Sequence, residues 1–159
     1  MRARTAAAAL GILLLLGRQV SSADLSAGPS ESPAPPPKDE KGIWAAIAYS
    51  SADAKHGFFW GADERQEAMD IAVKHCQNAG GHACTVVTVS RNHRHRDDDD
   101  QTGFPYNHCG ALAVAKRAHD RLTRWGAKSA ETRSEAEDLA LQACEAAGEK
   151  CTIREWVCT

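Results

Sequence analysis

The chain has 159 residues, of which 19 are basic and 21 acidic, giving a formal net charge of −2 at neutral pH. This slightly acidic balance argues against a general binder of nucleic acid or of anionic membranes. The length is suited to one small domain with a single core.

Residues 1–23 have the pattern of a secretory signal peptide. Arg2 and Arg4 form a basic start, an apolar run follows over residues 6–16, and small residues at 21–23 suit cleavage. Because about 20 apolar residues are needed to cross a bilayer, the pattern favours a cleaved signal over the alternative, an uncleaved anchor. We therefore expect a secreted or periplasmic protein whose mature chain has no stable membrane insertion. Cleavage leaves 16 basic and 21 acidic residues.

Residues 24–41 form a segment rich in proline, serine and alanine. They contain five of the six prolines of the chain and almost no apolar residue that could be buried. Such a composition predicts a disordered or polyproline-like linker. The single folded domain is then expected over residues 42–159.

The folded part contains the same sequence pattern twice. Matching segments stand 65 residues apart at the start of the pattern, 68 in the middle and 67 at its end. A nearly fixed offset is typical of a duplicated unit with a small insertion. The matches are residues 44–49 with 109–114, Trp60-Gly61 with Trp125-Gly126, Glu67-Ala68 with Glu135-Ala136, Cys76 with Cys144, and 84–86 with 151–153.

Each repeat, over about 43–92 and 109–159, predicts a strand, a second strand, a helix and a third strand. The strands follow from short apolar or β-branched runs bounded by turn residues. The helices follow from alanine and cysteine residues recurring at helical spacing behind a capping box. The two capping boxes are Asp63 with Gln66 and Thr132 with Glu135.

The fold class predicted from these elements is α+β, an internally duplicated strand-strand-helix-strand unit. We expect one mostly antiparallel sheet with two helices on one face. All four tryptophans fall in predicted strands and are interpreted as core and sheet-edge packing, with two of them equivalent between the repeats. An exposed aromatic binding cage is the alternative. The tryptophans are Trp44, Trp60, Trp125 and Trp156.

All six cysteines lie in the folded part. An even number of cysteines in a secreted chain predicts disulfides, and six allow fifteen pairings. The duplication reduces these, because Cys76 and Cys84 occupy the same places as Cys144 and Cys151. We therefore predict three disulfides: Cys76–Cys84, Cys144–Cys151 and, by remainder, Cys109–Cys158.

Several short motifs together resemble a family of bacterial secreted proteins, the domain of unknown function 4189. They are Trp-x-Ala-Ile-Ala at residue 44, Cys-Gly-Ala-Leu-Ala at residue 109, Glu-Ala-x-x-x-Ala-x-x-x-Cys in both helices, and the Trp-Val-Cys ending. The resemblance covers residues 43–159 and implies a small exported α+β domain with internal duplication and disulfides. It implies no particular activity. Members run from an Arg-Asn pair almost directly into the central motif, whereas here residues 93–108 form an inserted loop.

The inserted loop contains histidines and carboxylates that could bind a metal. His93, His95 and His108 are the candidate ligands, since imidazole suits zinc, copper or nickel. Arginines alternate with the first two histidines, and the aspartates lack the ligand spacing of a calcium loop. The competing interpretation is therefore a solvated charged loop, and no cofactor is expected.

The same loop also carries features of a protein-binding segment. Phe104 and Tyr106 can act as aromatic anchors at an interface, or they can pack back over the sheet. The acidic run, Asp97, Asp98, Asp99 and Asp100, would face a basic site on the partner. Because the loop lies outside the duplicated core, we expect the fold to survive its deletion.

No arrangement of residues typical of catalysis is evident. Ser50, Ser51 and His56 lie near one another in a predicted hairpin, but no nucleophile elbow is present, and paired cysteines cannot act as nucleophiles. The predicted function is an exported binding module that recognises a protein partner, with an inhibitor or immunity-type protein as a specific form. The alternatives are a metal-binding module using the 93–108 loop and an unrecognised cell-envelope enzyme.

Overall fold

The computed structural model describes residues 42–94, 100–115 and 123–159. The expected signal peptide and proline-rich linker lie outside these residues and stay predictions. The elements occur in the predicted order, strand-strand-helix-strand in each repeat. They are β1 (Ile43–Ser50), β2 (Lys55–Ala62), α1 (Arg65–Asn78), β3 (Thr85–Asn92), β4 (Cys109–Ala115), β5 (Trp125–Ala130), α2 (Arg133–Glu145) and β6 (Cys151–Cys158).

The α+β class and the duplication are confirmed, but the strands form two sheets rather than one. Each sheet has three antiparallel strands, in the order β2-β1-β3 and β5-β4-β6. The reason is that both edges of β1 are occupied by strands of its own repeat, and both edges of β4 likewise. Each repeat therefore completes a sheet by itself. A shift of register occurs at the same place in both sheets, between Ile47 and Ala48 and between Leu112 and Ala113.

The two sheets pack face to face, and this packing places the helices on opposite outer faces. Alternate residues of β1 point in opposite directions: Trp44, Ala46 and Ala48 pack against α1, whereas Ala45, Ile47 and Tyr49 pack towards Leu112 and Val157 of the second sheet. In β4 the odd-numbered residues pack against α2. The expectation of both helices on one face is therefore wrong, because the central strands are buried on both sides.

Both helices approach their sheets closely at equivalent positions. Ala68, Ala72 and Cys76 of α1 are buried, as are their counterparts Ala136, Ala140 and Cys144 of α2. Small side chains on this stripe allow a short distance between helix and sheet. On the second strand of each repeat, the residue that faces the helix backbone is a glycine, Gly57 in β2 and Gly126 in β5.

The two glycines also correct one sequence match. A Cβ atom on Gly57 would collide with the backbone of Cys76, and one on Gly126 would collide with the backbone of Cys144. Gly57 lies opposite Ala48 and Gly126 lies opposite Ala113, the same place in each repeat. Gly126 is therefore equivalent to Gly57 and not to Gly61, and Trp125 occupies the position of His56 rather than that of Trp60.

The six cysteines pair as the duplication predicts. Cys76–Cys84 and Cys144–Cys151 each connect the end of a helix to the following strand, and Cys109–Cys158 connects β4 to β6. In the chain-entropy description, such bonds stabilise the fold by about 2–4 kcal/mol each.

One of the two predicted helix caps is present. The Thr132 hydroxyl accepts a hydrogen bond from the Glu135 backbone N–H at 3.3 Å. The cap expected from Asp63 and Gln66 is wrong, because α1 begins after Glu64 without a side-chain cap. The Gln66 amide instead donates to Asp70.

Candidate functional site

The segment after β3 folds back on a buried arginine. The Arg91 side chain is 1% exposed and forms an ion pair with Asp100, which is 3% exposed, with 2.6 Å between Nη1 and Oδ2. Arg91 also donates to the Phe104 carbonyl oxygen at 2.5 Å. The expectation that Asp100 faces a partner is therefore corrected, because its carboxylate neutralises an internal cation.

Aromatic rings surround the same guanidinium. Its central carbon lies 3.8 Å from the ring centroid of Tyr106, 5.2 Å from that of Trp44 and 5.3 Å from that of Phe104. Trp44 and Phe104 meet edge to face with centroids 5.2 Å apart. Cation–π contacts of this kind strengthen when they are removed from water. Of the two alternatives for Phe104 and Tyr106, the structure shows the one in which they pack back over the first repeat.

The charge of Asp100 is fixed by its hydrogen bonds. Burial acts to raise the pKa of this carboxyl, but hydrogen bonds from Arg91 and from the hydroxyl and backbone N–H of Thr102 outweigh burial and hold the pKa at about 2. The carboxylate therefore stays ionised at any ordinary pH. The part of the loop from Asp100 to Phe104 is anchored to β3 by this pair and by the Phe104 carbonyl oxygen. These contacts argue against the expectation that the fold survives deletion of the whole loop.

The remaining loop residues singled out in the sequence are not gathered into one place. His93 is exposed and stacks on Tyr106, with ring centroids 3.5 Å apart. The carbonyl oxygen of His108 accepts a hydrogen bond from the Thr159 backbone N–H. His95, Asp97, Asp98 and Asp99 lie outside the described residues. Within the described part of the chain, no group of three or more potential ligands is arranged to hold a metal ion.

The structure shows an exposed aromatic surface, which the sequence interpretation held only as the alternative to core and sheet-edge packing of the tryptophans. Phe58 and Trp60 of β2 and Trp156 of β6 are 36%, 60% and 40% exposed. With Glu155, Val157 and Cys158 they line a depression of about 420 Å³, which we call the aromatic groove. It lies between the edge strands of the two sheets. The available signal was the Phe58-x-Trp60 spacing, which places two rings on one strand face. The exposure of that face depends on which strands form the sheet edges, and this does not follow from the local sequence.

The walls of the aromatic groove are held by neighbouring side chains. The Arg133 guanidinium of α2 lies over Trp156, 3.8 Å from the ring centroid. Across the two sheets, Nε2 of His56 lies 3.2 Å from Oε2 of Glu155. These contacts favour a preformed surface, in which binding orders few side chains.

The residues considered for catalysis have other partners. The Ser50 hydroxyl donates to Asp53, which also accepts the His82 backbone N–H at 2.7 Å. These hydrogen bonds hold the pKa of Asp53 at about 2, with the Ser50 contact as the largest cause. His56 instead contacts Glu155. The structure thus does not bring Ser50 and His56 together as a nucleophile and base.

These features define a class: a duplicated α+β domain with three disulfides. Disulfides of this kind are typical of proteins that reach an oxidising compartment. Among the described residues, no helix is both long enough and apolar enough to cross a membrane.

The profile of one protein family, described as "Domain of unknown function (DUF4189)", matches both repeats, over residues 44–95 and 100–158. The chain belongs to this family. The second match includes residues 100–108, so only residues 96–99 between the repeats are left unmatched. No curated protein matches the chain.

Among solved structures, the chain is similar to the NMR structure of Rv1813c from Mycobacterium tuberculosis. The identity is 22%, the TM-score is 0.42, and the comparison covers 100% of this chain and 98% of that one.

Proposed function

We propose that this chain is an exported, disulfide-stabilised binding module that recognises a protein partner through the aromatic groove. The observation that carries the proposal is the exposure of Phe58, Trp60 and Trp156 around a single depression. Tryptophan is among the residues that contribute most to binding energy at protein interfaces. A groove lined with such rings offers a partner a large apolar contact at a small cost in entropy.

The surroundings of the groove support a binding role. Disulfides tie both helices and the closing strand to their sheets, and one of them, Cys109–Cys158, holds the strand that carries Trp156. The edge strands also carry main-chain groups that an extended partner segment could pair with. Binding rather than catalysis is proposed, with a partner encountered in the periplasm or the medium and no role for nucleic acid.

An inhibitor or immunity-type protein is the specific form that we propose within this class. Such a protein acts by covering the active site of its target. The acidic residues Asp97, Asp98 and Asp99 would add electrostatic attraction to a basic target, which mainly raises the association rate. The groove would then supply most of the affinity and the acidic run part of the specificity.

The proposal is tested by immobilising the exported chain and recovering proteins from periplasm or medium. Trp60→Ala and Trp156→Ala should each weaken capture of a specific partner by roughly tenfold or more, as expected for central aromatic anchors. Trp125→Ala is the matched control, because Trp125 is 40% exposed like Trp156 but lines a different depression. Equal capture by all three variants would contradict the assignment of the groove.

A further inference from the structure

The edge strands of the two sheets bring aromatic rings and one carboxylate together in the aromatic groove. Of the six residues that line it, Glu155 alone carries a charge. We propose that the groove takes an arginine side chain of the partner, with the guanidinium paired to Glu155 and the aliphatic stem lying over Phe58 and Trp60. The inference rests on the proposed function, because it names the group that a protein partner inserts into the same groove.

The aromatic wall of the groove is built from alternate residues of β2, an outer strand of the first sheet. Phe58 lies opposite Ile47, and Trp60 lies opposite Ala45. Both of these β1 residues face the second sheet, and residues directly opposite each other in an antiparallel pair point to the same face. The Phe58 and Trp60 rings therefore project towards the second sheet, about 7 Å apart along their strand.

The opposite wall comes from β6, an outer strand of the second sheet. Glu155 lies opposite Leu112, and Val157 lies opposite Gly110. Leu112 and Val157 belong to the cluster that packs between the sheets, so Glu155 also points towards the first sheet. Its contact with His56 across the gap agrees with this direction. A cation bound to the carboxylate would thus lie beside the aromatic wall.

The Glu155 carboxylate has acceptor positions left for such a cation. A carboxylate offers about four of them, and Glu155 is in contact with the His56 ring and with the Trp156 backbone N–H. The histidine changes charge with pH and the backbone N–H is neutral, so neither supplies the permanent positive charge of an arginine.

Two arginines near β6 have other partners. Arg133 pairs with Glu137 on α2, with 2.6 Å between Nε and Oε1. Burial raises the pKa of the Tyr49 hydroxyl, and the charge of Arg154 acts against burial, which places Arg154 towards Tyr49. The groove therefore presents a carboxylate whose ion-pair partner, in the described part of the chain, is a histidine.

The chain itself contains an arginine bound by the same kinds of group. Arg91 pairs with Asp100 and lies against the rings of Trp44, Phe104 and Tyr106. The aromatic groove offers rings beside one carboxylate in the same way, but at the surface. Arginine suits such a site better than lysine, because its planar guanidinium stacks on rings, pairs with a carboxylate through two hydrogen bonds and is more weakly hydrated. Its aliphatic stem also covers apolar surface.

Nuclear magnetic resonance of the tryptophan indole groups tests the proposal in the whole exported chain. The probe is a short peptide, acetyl-leucyl-arginyl-leucine amide, added at millimolar concentration. One control peptide carries citrulline, which has the shape of arginine without its charge, and another carries lysine. The arginine peptide should shift the Trp60 indole signal in a saturable manner and leave those of Trp44 and Trp125 unchanged. Both control peptides should bind at least about fivefold more weakly.

Two results of this titration would overturn the proposal. One is an unshifted Trp60 signal with the arginine peptide, and the other is equal binding of the citrulline peptide. Equal binding of the lysine peptide would overturn the choice of arginine, because the groove would then select charge alone.

A pair of carboxylate variants locates the charge that the peptide recognises. Glu155→Gln should weaken binding of the arginine peptide by roughly fivefold or more, because an exposed ion pair contributes up to about fivefold and the Glu155 side chain is only 21% exposed. It should leave the weaker binding of the citrulline peptide unchanged. Glu149→Gln is the matched control, because the Glu149 side chain is 26% exposed, pairs with Arg124 and lines a different depression. Native affinity of Glu155→Gln for the arginine peptide would contradict the pairing.

Failure of this inference and failure of the proposed function have different signatures in the capture experiment. If the groove binds a partner without an inserted arginine, Trp60→Ala abolishes capture while Glu155→Gln captures the partner as the native chain does. If the groove binds no partner, Trp60→Ala leaves capture unchanged whatever the peptides show.

Discussion

At the scale of single residues, Arg91 has the most demanding environment in the described part of the chain. Its cation is buried, and its stability there depends on Asp100 and on three aromatic rings. A buried pair of this kind contributes little compared with an apolar pair of the same shape, but removing one partner leaves an uncompensated charge. The sequence shows Arg91 and the acidic run, but which of the four aspartates reaches Arg91 depends on how the segment folds back.

We predict that Asp100→Asn lowers the free energy of unfolding by about 3 kcal/mol, because the buried Arg91 cation loses its counter-ion. Chemical denaturation measures the change. The matched control is Asp63→Asn, which removes the exposed Asp63–Arg94 pair and should change stability by no more than about 1 kcal/mol. Adding Arg91→Met to Asp100→Asn should recover part of the loss; no recovery would show that the charge is not the cause.

The same pair predicts a dependence of stability on pH. The pKa of Asp100 is about 2 in the folded protein and about 3.9 in an unfolded chain. Its contribution is therefore fully present above about pH 4 and is lost as pH falls towards 2. The free energy of unfolding of Asp100→Asn should therefore fall less between pH 4 and pH 2 than that of the native chain. Some fall should remain, because the pKa of Asp53 is also held at about 2. An unchanged fall would contradict the assignment.

At the scale of elements, the duplication made much of the fold predictable and also led to one error. Element order and disulfide pairing follow from comparing the repeats, because equivalent cysteines occupy equivalent places. The number of sheets does not follow, since it depends on which strands occupy the edges of β1 and β4. Trp60-Gly61 was matched to Trp125-Gly126 because the two dipeptides are identical. The structurally equivalent residues are instead Gly57 and Gly126, the glycines that pack against the helix of each repeat.

We predict that Gly57→Ala and Gly126→Ala each destabilise the protein by about 1–3 kcal/mol or more, as overpacking does. At both positions the new methyl group would meet helix backbone, which cannot rotate away. Gly110→Ala is the control, because its nearest neighbour is the Thr88 methyl group at 3.1 Å, which is a side chain that can adjust. Thermal unfolding of the three variants ranks them; a larger loss for Gly110→Ala would contradict this account of the helix-to-sheet distance.

At the scale of the whole molecule, the two sheets and the segment joining the repeats form one packed unit. The Arg91 backbone N–H of the first repeat donates to the backbone carbonyl oxygen of Asn107. The side-chain amide of Asn107 donates in turn to the hydroxyl of Ser129 in the second repeat. Asn92 donates to the last residue, Thr159. The segment from Asp100 onwards therefore belongs to the structural core at this end of the domain, while the candidate binding surface lies on the sheet edges.

This arrangement predicts different outcomes for two changes in the joining segment. Deleting residues 93–107 removes Asp100, Phe104 and Tyr106 from Arg91 and should cost about 3–5 kcal/mol, which lowers the melting temperature by roughly 10–20 °C for a domain of this size. Replacing residues 96–99 with Gly-Ser-Gly-Ser keeps the described contacts and should leave the melting temperature within a few degrees. Circular dichroism in the near ultraviolet, which reports the tryptophan environments, should change for the deletion alone. A deletion variant as stable as the native chain would show that Arg91 finds compensation elsewhere, and the ion pair would then lose its assigned role in anchoring the joining segment to β3.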